Sequence, residues 1–190
     1  MARVVSLQGR PLGSGFFVAS VGYLATAAPG LKPGQELFVE LQGGARRRAR
    51  VARTQRDGIS ILAVAASHEE EVFQTLPLGP EVAAPPQGWL VALCHDQEGR
   101  LVPAAGGLRR QSPDGSWELD LPCGPGAPVL SGDEVLGIVV RTRGNTASVG
   151  LPLAALRRLS QGLAAKMPTE LLPQHEQREG GTGVAPPAGE

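Results

Sequence analysis

Residues 23–31 read YLATAAPGL, an apolar strand from Tyr23 to Ala27 that runs into a turn carrying Pro29 and Gly30. Two short strands precede it, Val4 to Leu7 and Gly15 to Ala19, punctuated by Gly13, Gly15 and Gly22. Downstream, Lys32-Pro33-Gly34 makes a turn and ELFVEL (36–41) alternates polar and apolar, as a half-buried strand does. Gly43-Gly44 marks the next turn. Ala45 to Thr54 alternates again, with Ala49 and Val51 on one face, and ISILAV (59–64) is a dense apolar strand. About six strands in the first third is the inventory of a small closed barrel.

The second half repeats that strand count without repeating the sequence. Leu76 to Gly79 opens it, Pro85-Pro86-Gln87-Gly88 is a turn, and WLVALC (89–94) is a strand. Leu101 to Leu108, Trp117 to Leu121, Val129-Leu130, Glu134 to Arg141 and Ala147 to Leu151 complete a second set of about six. Pro152 then opens a helix, because Leu153, Leu156, Leu159 and Leu163 recur at helical spacing opposite Arg157 and Arg158. The expected organisation is a first barrel over 1–67, a second over 76–151, a helix over 152–166 and a disordered polar, Gly/Pro-rich tail over 167–190.

Composition supports an all-β chain. Aromatics are only 4% of the 190 residues, so the core must come from Val, Leu, Ala and Ile. The 26 glycines and 17 prolines suit short strands joined by tight turns and argue against a helical bundle. Basic and acidic residues balance at 18 each, which gives no general attraction to nucleic acid or membrane. Locally, residues 1–66 hold nine basic and three acidic residues, a net of +6, concentrated in ARRRAR (45–50). With no interleaved aromatics to stack on bases, that run reads first as an exposed strand face; as a basic docking face, through Arg46, Arg48 and Arg50, it suits an acidic protein as well as a nucleic acid. No apolar run reaches the length of a membrane span, and MARVVSLQGR has no signal-peptide core. The expectation is a cytoplasmic protein with two cysteines, Cys94 and Cys123, too few for a disulfide scaffold.

Several motifs in a fixed order resemble the trypsin/chymotrypsin-like serine proteases, and within them the bacterial HtrA (DegP-like) branch, over about residues 3–166. Gly13-Ser14-Gly15-Phe16-Phe17-Val18 resembles the GSGF strand of that family. Tyr23–Leu31 resembles the segment that carries its His, and DGISILAV (57–64) the segment that carries its Asp. LPLG (76–79) with WLVAL (89–93) resembles the start of its second barrel. GPGAPVL (124–130) resembles the nucleophile loop GNSGGPL, and Leu151–Leu159 its closing helix. The fold this resemblance implies is a chymotrypsin-like double β-barrel, two six-stranded barrels followed by a C-terminal helix.

The same resemblance implies a missing catalytic apparatus. A Ser whose proton is taken by a His that an Asp orients is what the mechanism requires. Here the His position falls on Pro29, the Asp position on Gly58 and the Ser position on Pro125. Proline carries no base, no nucleophile and no N–H, and the family uses the amide at the Ser position, with the one two residues earlier, as its oxyanion hole. The implied function is a catalytically inactive pseudoprotease that holds a protein or peptide partner, with no cofactor or metal. In the family an extended peptide adds as a strand after the nucleophile strand, and Thr146, Ala147, Ser148, Val149 and Gly150 match that segment.

Two other functions stay open, a rewired serine or cysteine hydrolase and a scaffold subunit of a larger assembly. Cys123 lies two residues before the Ser position, but a thiol needs a base or a depressed pKa, and His68, His95 and His175 all lie away from the base position in the sequence. Cys94, His95, Asp96 and Cys123 match no zinc spacing, and a Cys94–Cys123 disulfide has no support in the spacing either. Trp89 and Trp117 read as core or barrel-rim packing, and Gly106-Gly107 as a turn with no nucleotide-binding context.

Overall fold

A computed structural model describes residues 1–150 apart from 69, 83, 86, 87, 97 and 145, together with 153, 156 and 157. Thirteen strands fill it: β1 (Ala2–Val5), β2 (Pro11–Ala19), β3 (Tyr23–Thr26), β4 (Glu36–Leu41), β5 (Arg46–Thr54), β6 (Ser60–Val64), β7 (Leu90–His95), β8 (Leu101–Gly106), β9 (Leu108–Gln111), β10 (Trp117–Leu119), β11 (Pro128–Ser131), β12 (Glu134–Arg143) and β13 (Thr146–Gly150). The first six close into an antiparallel barrel in the order β1-β2-β3-β6-β5-β4. The other seven form one curled sheet, β8-β7-β11-β12-β13-β10-β9.

The expected six-stranded second barrel differs in one respect. Gly106-Gly107 is a kink that splits one strand into β8 and β9, where a turn was expected, so the sheet's two ends are successive pieces of one chain. A Cβ at Gly106 would stand 1.9 Å from the Asp120 carbonyl oxygen, and the Asp120 N–H donates to Gly107 O at 3.1 Å. Only glycine lets the backbones approach this closely, and the approach brings the sheet round on itself.

Burial patterns follow from where each strand sits. In β4 and β5 one face is in the barrel and the other in solvent, so they alternate, with Leu37, Val39, Ala49 and Val51 inside. In β3 and β6 every residue is buried. Leu24, Leu62 and Val64 fill the first barrel, while Tyr23, Ala25, Ile61 and Ala63 face the second lobe. There they pack with Leu130, Val135 and Ile138 and with Leu153 and Leu156. A third cluster around Trp117, Leu119, Leu121 and Val149 fills the second lobe. Each such Leu, Ile or Val contributes about 1.5–3 kcal/mol by burial, so the interlobe cluster is comparable in weight to a barrel core.

The connection between the lobes is also held. Phe73 stacks on Phe17 with ring centroids 4.5 Å apart, anchoring the linker to the first barrel. Gly79 N–H then donates to Val135 O at 2.9 Å and Val135 N–H to Pro77 O at 2.8 Å, anchoring it to the second lobe. Leu153, Leu156 and Arg157 are helical, and Arg157 Nη2 donates to the carbonyls of Leu78, at 3.2 Å, and Gly79. The rest of the expected helix and the expected disordered tail lie outside the described residues. No helix among the described residues is long and apolar enough to cross a membrane.

Trp89 corrects a second expectation. It stands just before β7 and is 80% exposed, whereas Trp117 on β10 is fully buried. Gly88 and Leu90 bracket it, and the alternation that buries Leu90 turns Trp89 outward.

Candidate functional site at the junction of the lobes

At the junction of the lobes, β2 and the residues that follow β3 meet the turn before β11. The pairing of β3 with β6 ends at Thr26–Ser60, and β3 runs on into Ala27 and Ala28. Pro29 follows in an exposed turn. Gly58 sits in the turn that Gln55 and Ile59 close, at a φ of 88°, and Asp57 there accepts the Ile59 N–H on Oδ1 at 3.2 Å. Pro125 lies on the facing turn, and its carbonyl accepts the Ser14 N–H at 2.9 Å.

Ser14 is the hub, and the sequence reading missed it. Its carbonyl accepts the Thr26 hydroxyl at 2.7 Å, and Thr26 Oγ1 in turn takes the Ala28 N–H at 3.3 Å. Its own hydroxyl accepts the His95 N–H at 3.2 Å and lies 3.1 Å from His95 Nδ1. Burial, then the Met1 amino group and Arg3, lower the His95 pKa below its ordinary value, against the opposing pull of Asp96 and Glu40. The N–H, carbonyl and hydroxyl of this buried serine all have partners, the N–H and the hydroxyl in the second lobe. The only signal in the sequence was its place between two glycines, which lets another backbone come close.

Gly126 completes the junction. Its φ is 84°, and a Cβ there would fall 1.9 Å from Ser14 O. Gly126 N–H donates to Val139 O at 2.7 Å and Val139 N–H to Ala127 O at 2.9 Å, so the turn is clamped to β12. The amide two residues before Pro125 belongs to Cys123 and is donated to Leu121 O at 3.0 Å. Pro125 has no N–H, so this turn offers neither amide of the expected oxyanion pair to a ligand.

The peptide groove expected at Thr146, Ala147, Ser148, Val149 and Gly150 is not a free edge. Along Ala147–Val149, β13 pairs with β10 on one side and β12 on the other. Both rows of main-chain groups are used, so no further strand can add there. Unpartnered backbone lies one strand earlier, as well as along the outer edges of β8 and β9. β11 pairs β12 only over Glu134–Ile138, while β13 pairs it over Ile138–Arg143. Beyond Val139 the β11 side of β12, Val140 to Arg143, has no strand partner among the described residues. A bulge at Val139–Arg141 turns this stretch outward, and Arg141, Thr142 and Arg143 are exposed.

The basic strand is largely paired. Arg50 meets Glu36 at 3.6 Å, and Arg46 lies over the Phe38 ring at 4.1 Å. Arg48 is exposed between them. Arg47, of opposite parity, points to the other face and holds Glu71 at 3.0 Å. Among the described residues, no three His, Cys, Asp or Glu side chains gather as a metal site.

Two lobes of antiparallel strands, a shared apolar interface and the turn before β11 facing β2 and β3 define a trypsin-like double β-barrel fold. The solved structure of a serine endoprotease from Yersinia pestis has this fold: it superposes with a TM-score of 0.68 at 16% identity over 86% of this chain. This chain spans 61% of the length of that protein. No known family profile matches the sequence, and no curated protein does.

Proposed function

We propose that this chain is a non-catalytic peptide- or protein-binding module built on the trypsin-like fold. The observation that carries the reading is the 123–126 turn. Pro125, which the sequence resemblance puts at the nucleophile position, has neither hydroxyl nor N–H, and the Cys123 amide is spent on Leu121. Pro29 and Gly58, the other two positions implied by the sequence resemblance, supply neither base nor carboxylate. A site with no nucleophile, base or oxyanion donor can still hold an extended chain.

The binding edge we assign is Val140–Arg143 of β12, in place of β13. It combines unpartnered main chain with the exposed cations Arg141 and Arg143, which suits an extended segment containing acidic side chains. A displayed random-peptide library is the direct test. Selected peptides should remain intact and should slow amide exchange at 140–143. Protection confined to another strand would move the site, and cleaved peptides would show an enzyme.

The competing reading is a rewired hydrolase, favoured by the 3.1 Å contact of Ser14 Oγ with His95 Nδ1. Against it, Ser14 is only 3% exposed and its oxygen already accepts an N–H. Labelling of Ser14 by a fluorophosphonate would favour the hydrolase.

A further inference from the structure

Cys94 and Cys123 meet in the second lobe, although they are 29 positions apart in the chain. Cys94 is near the end of β7, and Cys123 lies just before the turn that leads into β11, the strand that pairs with β7. The Val129–Ala92 pairing, extended by two residues, sets Ala127 opposite Cys94. The turn from Gly124 to Ala127 then folds Cys123 back beside it. Cys94 and Cys123 act on each other's ionisation, the Gly124 N–H acts on both, and both side chains are buried as free thiols in one apolar cluster.

We propose that Cys94 and Cys123 form a reversible intramolecular disulfide under hydroperoxide, a covalent brace on the junction of the lobes. The brace acts there because of sequence position. Cys94 precedes His95, which holds the Ser14 side chain, and Cys123 is two residues from Pro125, which holds the Ser14 N–H. The inference is independent of whether the protein binds peptides.

The surroundings divide the roles between the sulfurs. The Cys123 S–H and the Gly124 N–H favour the Cys94 thiolate over the opposing effect of burial, which sets Cys94 below the ordinary thiol range. The negative Cys94 sulfur and burial push Cys123 up, so it keeps its proton. The Cys94 thiolate attacks one peroxide oxygen, the O–O bond breaks, and the alcohol or water leaves with a proton. The Cys94 sulfenic acid that results is attacked by the Cys123 sulfur. The S–O bond breaks, and water departs carrying the Cys123 proton. Two thiols and one hydroperoxide give one disulfide, one alcohol (or water) and one water, with two electrons passing from sulfur to oxygen.

The test treats the full chain with hydrogen peroxide, quenches with alkylating agent under denaturing conditions, and reads intact mass and linked peptides. The expected product is a monomer lighter by two hydrogens, with the Cys94 and Cys123 peptides joined, restored by dithiothreitol. Its melting temperature should rise by about 5–10 °C, because the link restrains the unfolded chain. Sulfinic acid on either cysteine, two thiols that still alkylate, or a dimer linked through one of them would overturn the proposal. Cys94→Ser and Cys123→Ser should each abolish the link. A crosslinked mass surviving in either would also overturn it.

Discussion

The two lobes are built from similar numbers of strands but finish their hydrogen bonding differently. In the first barrel every strand has two neighbours, and the outer face of β4–β5 is covered by Glu36–Arg50 and by Arg46 on Phe38. In the second lobe β8 and β9 each have one neighbour, β12 runs past its β11 partner, and Trp89 projects into solvent. One lobe is closed, and the other keeps backbone and apolar surface available. Yet they share an apolar interface in which Phe16, Ile59 and Ile61 pack with Val135 and Ile138. The contrast leaves free strand edges to the second lobe, while the shared interface ties its stability to the first.

The largest effect should come from Trp117→Ala. This fully buried ring sits on β10, the strand that closes the lobe against β13 and β9. Removing it should cost about 3–5 kcal/mol. Urea titration followed by circular dichroism checks this, and a single transition moving to lower urea is expected. Two separated transitions would break the picture of coupled lobes, with the first barrel persisting alone.

Gly126→Ala should come next, at about 2–4 kcal/mol, because it adds both an unfavourable positive φ and a clash with the Ser14 carbonyl. Its site makes it informative. It touches neither barrel core, so its cost measures the junction. An unchanged unfolding midpoint would show that the turn moves aside and that the Ser14 contacts contribute little.

How legible was this in the sequence? The closed barrel was, because ELFVEL and ISILAV announce a half-buried and a fully buried strand by pattern alone. The order of the GSGF, TAAPG and GPGAPVL segments placed both lobes. What stayed hidden were pairings between distant segments. Nothing local shows that β13 has a neighbour on each side, so Thr146–Gly150 reads in the sequence as a free edge. Nothing local shows that Ser14 meets His95 or that Cys94 meets Cys123. Trp89 was misassigned because an aromatic beside an apolar strand looks like core until the alternation starting at Leu90 fixes its side.

The smallest of these effects sharpens the comparison most. Glu71, on the linker, binds Arg47 of β5 through Oε1 at 3.0 Å and Oε2 at 3.4 Å, and also accepts the Ser67 N–H. Burial raises its pKa, but these hydrogen bonds outweigh that and hold it at about 2, against an ordinary 4.5. A carboxylate depressed in the folded state contributes stability that is complete above about pH 4.5 and is lost as pH falls through about 2. Glu71→Gln should therefore cost about 1–2 kcal/mol at pH 7, with the gap to the wild type narrowing in acid, where the wild-type carboxyl is protonated too. Both tryptophans, Trp89 and Trp117, lie in the second lobe, so fluorescence reports that lobe alone. If the lobes unfold together, a change at Glu71 in the first half shifts the tryptophan signal as far as the circular dichroism. A fluorescence midpoint that stays put while the circular dichroism moves would show two separately unfolding lobes, despite the apolar interface between them.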